Sequence, residues 1–386
     1  MRRILAGILF LCVLLATVVG LHLYIARRLV FDTQLASPFR EASLVALAAL
    51  FATLFVQPIG ERLVRPPLAR VISWPASLWM GFAFLLVVLL AATDLLLVLL
   101  GAAGVAESAT SSVLRPRALL VVAAAAVAGL AGLRTAMRPP AVRRRELQLP
   151  RWPAALDGFR IVQITDVHIG PILGRRFAER IVARCNALEP DLLAVTGDLV
   201  DGSVHALTDE VAPFAQLRAR HGVFFVTGNH DYYSGERDWV ARARELGMRV
   251  LRNERVTISA RGAAFDLAGV DDHRGDLVRP GQREDLERAL EGRDPERPVV
   301  LLAHDPSTFR RARRHPVDLQ ISGHTHGGQI WPFVYLVRLV IPWVAGHYRS
   351  GEAQLYVSRG TGFWGPPMRI LAPAEITEIV LRAPPG

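Results

Sequence analysis

Five short groups in this 386-residue chain have residue types and spacings that can do chemistry. They are Asp166-Val167-His168, Gly197-Asp198-Leu199-Val200-Asp201, Gly228-Asn229-His230-Asp231, His304-Asp305 and Gly323-His324-Thr325-His326-Gly327-Gly328-Gln329. Carboxylate, imidazole and amide oxygen without thiolate form a donor set for Mn, Fe or Zn rather than for structural zinc. Asp166, His168, Asp198, Asn229, His304, His324 and His326 are too many donors for one tetrahedral site. They match two divalent ions about 3.5–4 Å apart. Side chains at i and i+2 of an extended segment point the same way, so Asp166 and His168 are expected to grip one ion. In the glycine-flanked turn, His324 and His326 are expected to reach one ion each.

Each group follows an apolar, β-branched run. The expected strands are Phe159–Ile164, Leu192–Thr196, Val223–Thr227, Val299–Ala303 and Leu319–Ser322. Phe177, Ile181, Cys185 and Leu188 recur at helical spacing after the first strand, and Trp239–Leu246 is also helical, which gives β-α-β units. Continuously apolar strands imply a sheet covered on both faces. Ligands of open α/β sheets bind at the carboxyl ends of strands, and five strands in succession deliver polar residues to that edge.

In their order and wording these motifs resemble the calcineurin-like metallophosphoesterase superfamily, from about Gly158 to Leu381. The GHTHGGQ block and a later Val-Ser-Arg-Gly-Thr-Gly stretch resemble its bacterial, membrane-anchored branch. The resemblance implies a four-layer αββα sandwich. It implies one ion on Asp166, His168, Asp198 and His326, and a second on Asp198, Asn229, His304 and His324, with Asp198 bridging. It also implies that His230 is the catalytic histidine and that Asp231 orients it.

The rest of the chain is of another kind. Residues 1–136 hold four apolar runs, roughly 4–26, 42–57, 74–105 and 119–133, and read as an all-α transmembrane module of about four helices. Asp94 lies in the third run with no charge inside the other runs to pair with it, and is read as facing a neighbouring helix or an interface. Residues 137–157, rich in Pro and Arg, are expected to be an irregular linker, and 158–386 the α/β domain. The formal charge is +10, with 45 basic residues, all arginine, against 35 acidic ones. Residues 1–150 carry 15 Arg and 6 acidic residues, and the remainder 30 and 29. The basic excess therefore belongs to the membrane module, and the near-neutral domain gives no ground for a nucleic-acid partner. With four spans, ten arginines fall on the side of both termini and five on the other, which places both ends in the cytoplasm of an inner-membrane, multi-pass protein. Cys12 and Cys185 are too few for a disulfide framework.

The expected function is a membrane-anchored, dinuclear-metal hydrolase of phosphoesters or pyrophosphates. Its expected partners are membrane lipids and a phosphorylated small-molecule or lipid substrate such as a phospholipid or UDP-2,3-diacylglucosamine, the latter two named by the resemblance. Three readings stand beside it: a sensor or regulator with a metal-binding, non-catalytic domain; a phosphoprotein or nucleotide phosphatase; and a transporter, resting on Asp94. The sequence does not give the oligomeric state. The apolar, aromatic stretch Ile330–Ala345 is expected to be either core or a lip that meets the bilayer or an acyl chain.

Overall fold

The computed structural model describes residues 2–64, 66–104, 111–278 and 280–385. The chain divides into two compact units, one up to Leu133 and one built from Arg134 onward.

The first unit consists of α1 (Arg2–Ala26), α2 (Phe39–Leu63), α3 (Leu68–Ala102) and α4, which begins at Ser111 and runs to Met137. All four are long and apolar enough to cross a membrane. At 1.5 Å per residue, the 25 residues of α2 reach about 37 Å, more than the roughly 30 Å hydrocarbon core. The helices are longer than the apolar runs that announce them, because their ends take in charged residues: Arg40 and Glu61 in α2, Arg115 and Arg117 in α4. Asp94 faces neighbouring helices, as expected, but it does have charged partners. Arg28, in a π-helical turn (Arg27–Phe31), holds the Asp94 carboxylate through Nη2 at 2.9 Å, Arg117 of α4 takes its other oxygen, and the Tyr24 hydroxyl donates at 2.7 Å. Both arginines flank apolar runs rather than interrupt them, so the runs alone do not reveal the pair.

The second unit holds two six-stranded sheets. The first has the order β1 (Ala141–Gln148), β12 (Glu375–Arg382), β2 (Phe159–Ile164), β3 (Leu192–Thr196), β4 (Val223–Val226), β5 (Arg249–Val250). The second runs β10 (Gly346–Ser350), β11 (Ala353–Val357), β9 (Leu319–Ser322), β8 (Val299–Leu302), β7 (Ala263–Gly269), β6 (Glu254–Ala260). Strands β2, β3 and β4 are mutually parallel, as are β7, β8, β9 and β11.

Period-two alternation explains the layering. On β2, Val162 and Ile164 join the core under α5 (Arg175–Ala187), while Phe159 and Ile161 join the core between the sheets. On β8, Val300 and Leu302 enter that central core and Val299 and Leu301 face an outer one, with Phe309 of α11 (Phe309–Ala312) and Leu286 of α10 (Leu286–Leu290). Three cores between helix, sheet, sheet and helix make a four-layer αββα sandwich. The outer layer of the first sheet is completed by α6 (Val204–Val211) and α8 (Glu236–Glu245). Two short helices, α7 (Asn229–Tyr233) and α9 (Gly275–Val278), follow β4 and β7.

The linker expected at 137–157 is not irregular. Its Ala141–Gln148 segment is β1, paired in parallel with β12 from Ala141↔Glu375 to Gln148↔Arg382. Five successive exposed positions on this edge strand, Val142 to Glu146, hide it from a search for apolar runs.

Candidate metal centre

The ends of β2, β3, β4, β8 and β9 converge. Asp166 and His168 do not sit in extended chain as expected; each turns through left-handed backbone, at φ 51° and 50°. Asp198, His324 and His326 do the same, at 52°, 71° and 51°. Left-handed conformations are costly for side-chain-bearing residues and gather at sites that need a fixed aim. Glycines allow the approach: a Cβ on Gly228 would overlap Asp198 Oδ1, and one on Gly323 would overlap Asp166 Oδ2.

Among the described residues, three groups, buried but for the half-buried His230 and His324, have donor atoms within 4.8 Å of one another: Asp166, His168 and His326; His168, Asp198 and His230; and Asp198, His304 and His324. His168 Nε2 lies 3.0 Å from His326 Nε2, which lies 3.4 Å from Asp166 Oδ1. His304 Nε2 lies 3.1 Å from both Asp198 Oδ2 and His324 Nδ1. Asn229 begins α7 and is buried, and its Oδ1 has no hydrogen-bond partner. Such an orphan carbonyl is expensive in a protein interior unless a cation or donor meets it. The converging imidazole nitrogens and the orphan oxygen fit divalent ions.

The groups behind these donors fix their tautomers. His304 Nδ1 donates to Thr196 O at 2.8 Å, leaving its Nε2 lone pair for an ion. Asp201 receives His168 Nδ1 at 3.0 Å and His230 Nδ1 at 2.7 Å. Carboxylates behind ligating histidines orient the ring and raise its basicity. Burial opposes charge on His230, but Asp201 and Asp198 outweigh it and raise its pKa to about 9. Burial alone would raise the Asp201 carboxyl; His168 and His230 instead hold it well below the usual range. Burial pushes the His324 imidazole down to about 3, so it is neutral and available as a ligand near pH 7.

Asp231 corrects a second expectation. It does not orient His230. Its carboxylate accepts the backbone N–H groups of Asp198 (2.9 Å), Leu199 (3.0 Å) and Gly228 (2.8 Å), and burial followed by repulsion from Asp198 raises its pKa to about 7. It is a clamp on the β3 and β4 turns. Asp231→Ala would strand three buried donors at about 1 kcal/mol or more each. The melting temperature of the full chain in detergent should therefore fall by several degrees, whereas Asp231→Asn, which keeps one acceptor oxygen, should lose less. An unchanged melting temperature for the alanine variant would remove this role.

Two residues at the site had no role in the sequence reading, although Asp201 closes the second motif. Asp201 is three residues beyond Asp198; an isolated bridge between Ile169 and Val200 brings it under His168. Arg369 is fully buried and donates to the carbonyls of Gly362, Arg359 and Ala372, each at 2.8 Å, and to His326 O at 3.4 Å. It ties the 359–372 loop to the His326 turn, and burial lowers its pKa to about 10.

A family model described as calcineurin-like phosphoesterase matches residues 159–328. A bovine protein named transmembrane protein with metallophosphoesterase domain is 41% identical over 295 residues, 74% of this chain and 66% of the relative. An uncharacterized metallophosphoesterase from Aquifex aeolicus is 36% identical over 243 residues, 62% of this chain and 91% of the relative. The match thus spans just under two thirds of the bovine relative's length and nearly all of the bacterial one. Among solved structures, a dimetal phosphatase from Danio rerio aligns with TM-score 0.34 and 14% identity over 55% of this chain and 90% of that one.

Proposed function

The chain belongs to the calcineurin-like metallophosphoesterases, and from that premise we propose that it is a membrane-anchored, dinuclear-metal hydrolase of amphiphilic phosphodiesters or pyrophosphates. One observation carries the reading: two largely buried donor groups, His168 with Asp198 and His230, and Asp198 with His304 and His324, share the Asp198 carboxylate. Asp166, His168, Asp198 and His326 would hold one ion, and Asp198, Asn229, His304 and His324 the other. When bound, such ions supply an acidified water as nucleophile and positive charge for phosphoryl oxygens.

This chain's own residues do the rest. Asp198 would be a ligand common to both ions. Thr196 O and Asp201 hold His304 and His168 in the ligating tautomer. His230, kept protonated by Asp201, donates its Nε2 proton to the leaving oxygen, as a general acid of suitable pKa does. Four helices on the same polypeptide, each long and apolar enough to cross a membrane, favour a substrate that resides at a bilayer. The arginine bias favours the inner membrane, with the domain in the cytoplasm. The domain's near-zero net charge disfavours a nucleic-acid substrate.

The test is Mn²⁺-dependent turnover by the purified full chain in detergent, across phosphomonoesters, soluble aryl phosphodiesters, phospholipids and UDP-diacylglucosamine. Turnover of a lipid-linked diester or pyrophosphate above the monoesters is expected. Preference for a phosphopeptide or free nucleotide would replace the substrate class. Two bound ions with no turnover of any substrate would leave the domain a regulator.

A further inference from the structure

The segment after the metal-binding turn does not form one apolar lip. Ile330 is buried and bridged to Ile370, Ile341 and Val344 are buried, and Trp343 packs on Phe309 at 5.5 Å. The Thr325 hydroxyl donates to Val344 O, so the far end is fastened to the His324–His326 turn itself. Between these anchors stands α12 (Val334–Val340), in which no residue is buried. Leu339 is 82% exposed, Val340 69%, and Tyr335 and Leu336 56% each, with Trp331 and Phe333 exposed just before them. A helix made of such residues and fixed at both ends, yet with no residue buried by the other described residues, is not a core element. Contiguous exposed apolar surface on this scale marks a contact site.

Its composition identifies the contact. Trp and Tyr prefer the membrane–water interface, aliphatic side chains the acyl boundary below it, and a lone arginine such as Arg338 extends its charge back to the headgroups. The bilayer is also the surface this polypeptide has at hand, because four helices long and apolar enough to cross one belong to it. We infer that α12 inserts shallowly into the acyl boundary of that bilayer and holds the mouth of the metal site at the lipid surface. The inference deepens the proposed function and rests on it for its catalytic consequence, though not for the docking itself.

The full chain, carrying Cys12→Ser and Leu339→Cys with a nitroxide at 339, is reconstituted in vesicles of phosphatidylcholine and phosphatidylglycerol. Cys185 is buried and stays unlabelled. Collisions with oxygen, which concentrates in lipid, are compared with those of a water-soluble nickel chelate, against a reference label at Glu245 on α8. The oxygen-to-nickel ratio at 339 is expected to be several-fold above that at 245. A ratio equal to that at 245 would put α12 in water. Shielding from both reagents would mean a protein covers it, a second copy included. Either result overturns the inference.

A second arm uses Leu339→Glu with Val340→Glu. Each apolar side chain withdrawn from the acyl boundary lowers partitioning by about ten- to a hundredfold. Turnover of a vesicle-embedded phosphodiester should fall by at least that factor, while turnover of a soluble aryl phosphodiester stays unchanged. Equal loss on both substrates would overturn the docking role. A parent chain inactive on every phosphate substrate would instead overturn the proposed function, and the label ratio would still decide the docking.

Discussion

Asp198→Asn is expected to release both ions and reduce turnover by more than about 10⁴-fold. Asp198 belongs to two of the three donor groups, and its Oδ2 lies 3.1 Å from His304 and 3.9 Å from His168. Partners behind metal ligands are worth about 10–100-fold in affinity, so a shared ligand should cost at least the upper value at each ion, and the two losses multiply. Asparagine keeps the shape and can still accept the His230 N–H, which Asp198 Oδ1 takes at 2.8 Å. The fold should therefore survive. The measurement is bound metal after dialysis, read beside turnover and circular dichroism. A variant that keeps both ions and most of its activity would dismiss the bridging role.

The second large effect is at His230. His230→Gln should lower kcat by about 10²–10⁴-fold and leave the ion content unchanged. That outcome also decides between two roles, because His230 lies close enough to His168 and Asp198 to be counted as a possible ligand. Loss of an ion from the variant would make it one. The pH profile is a separate check. Protonated His230 is the active form, so in the parent chain kcat should fall as pH rises through a limb that starts from about 9 and is drawn lower by the charge of the ions. Asp201→Asn removes the carboxylate that raises this pKa and should move the limb to lower pH. Since Asp201 also backs His168, weaker binding of one ion is expected in that variant as well.

Five strands with both faces buried were legible as apolar runs: β2, β3 and β9 occupy the residues their runs mark, and β4 and β8 stop one residue short, whereas β11, buried throughout but interrupted by Gln354, was not. Strand β1 was not, because an edge strand buries little and this one carries Arg143, Arg144 and Arg145 outward. Strand β12 was missed for another reason. Its polar Glu375 is buried but satisfied, accepting from the Tyr356 hydroxyl at 3.0 Å and pairing with Arg359. The donor residues could be found because each ends a strand. The Asp231 error has a local cause: Asn229–Tyr233 is helical, and neighbouring residues on a helix do not face each other. Adjacency in sequence therefore turned Asp231 away from His230, whereas Asp201 reached it across the β3–β4 junction.

The pairing of β1 with β12 bears on how the anchor carries load. The polypeptide leaving the last membrane helix enters the sheet within a few residues and runs for eight residues alongside the final strand. A pull along that strand would strain the whole ladder in shear, rung beside rung, instead of peeling rungs one at a time. The same ladder sets where the protein can be cut. Cleavage ahead of residue 141 leaves the sheet whole. Cleavage at 158 strips an edge and bares the donors and acceptors of β12, a template for sticking to other chains.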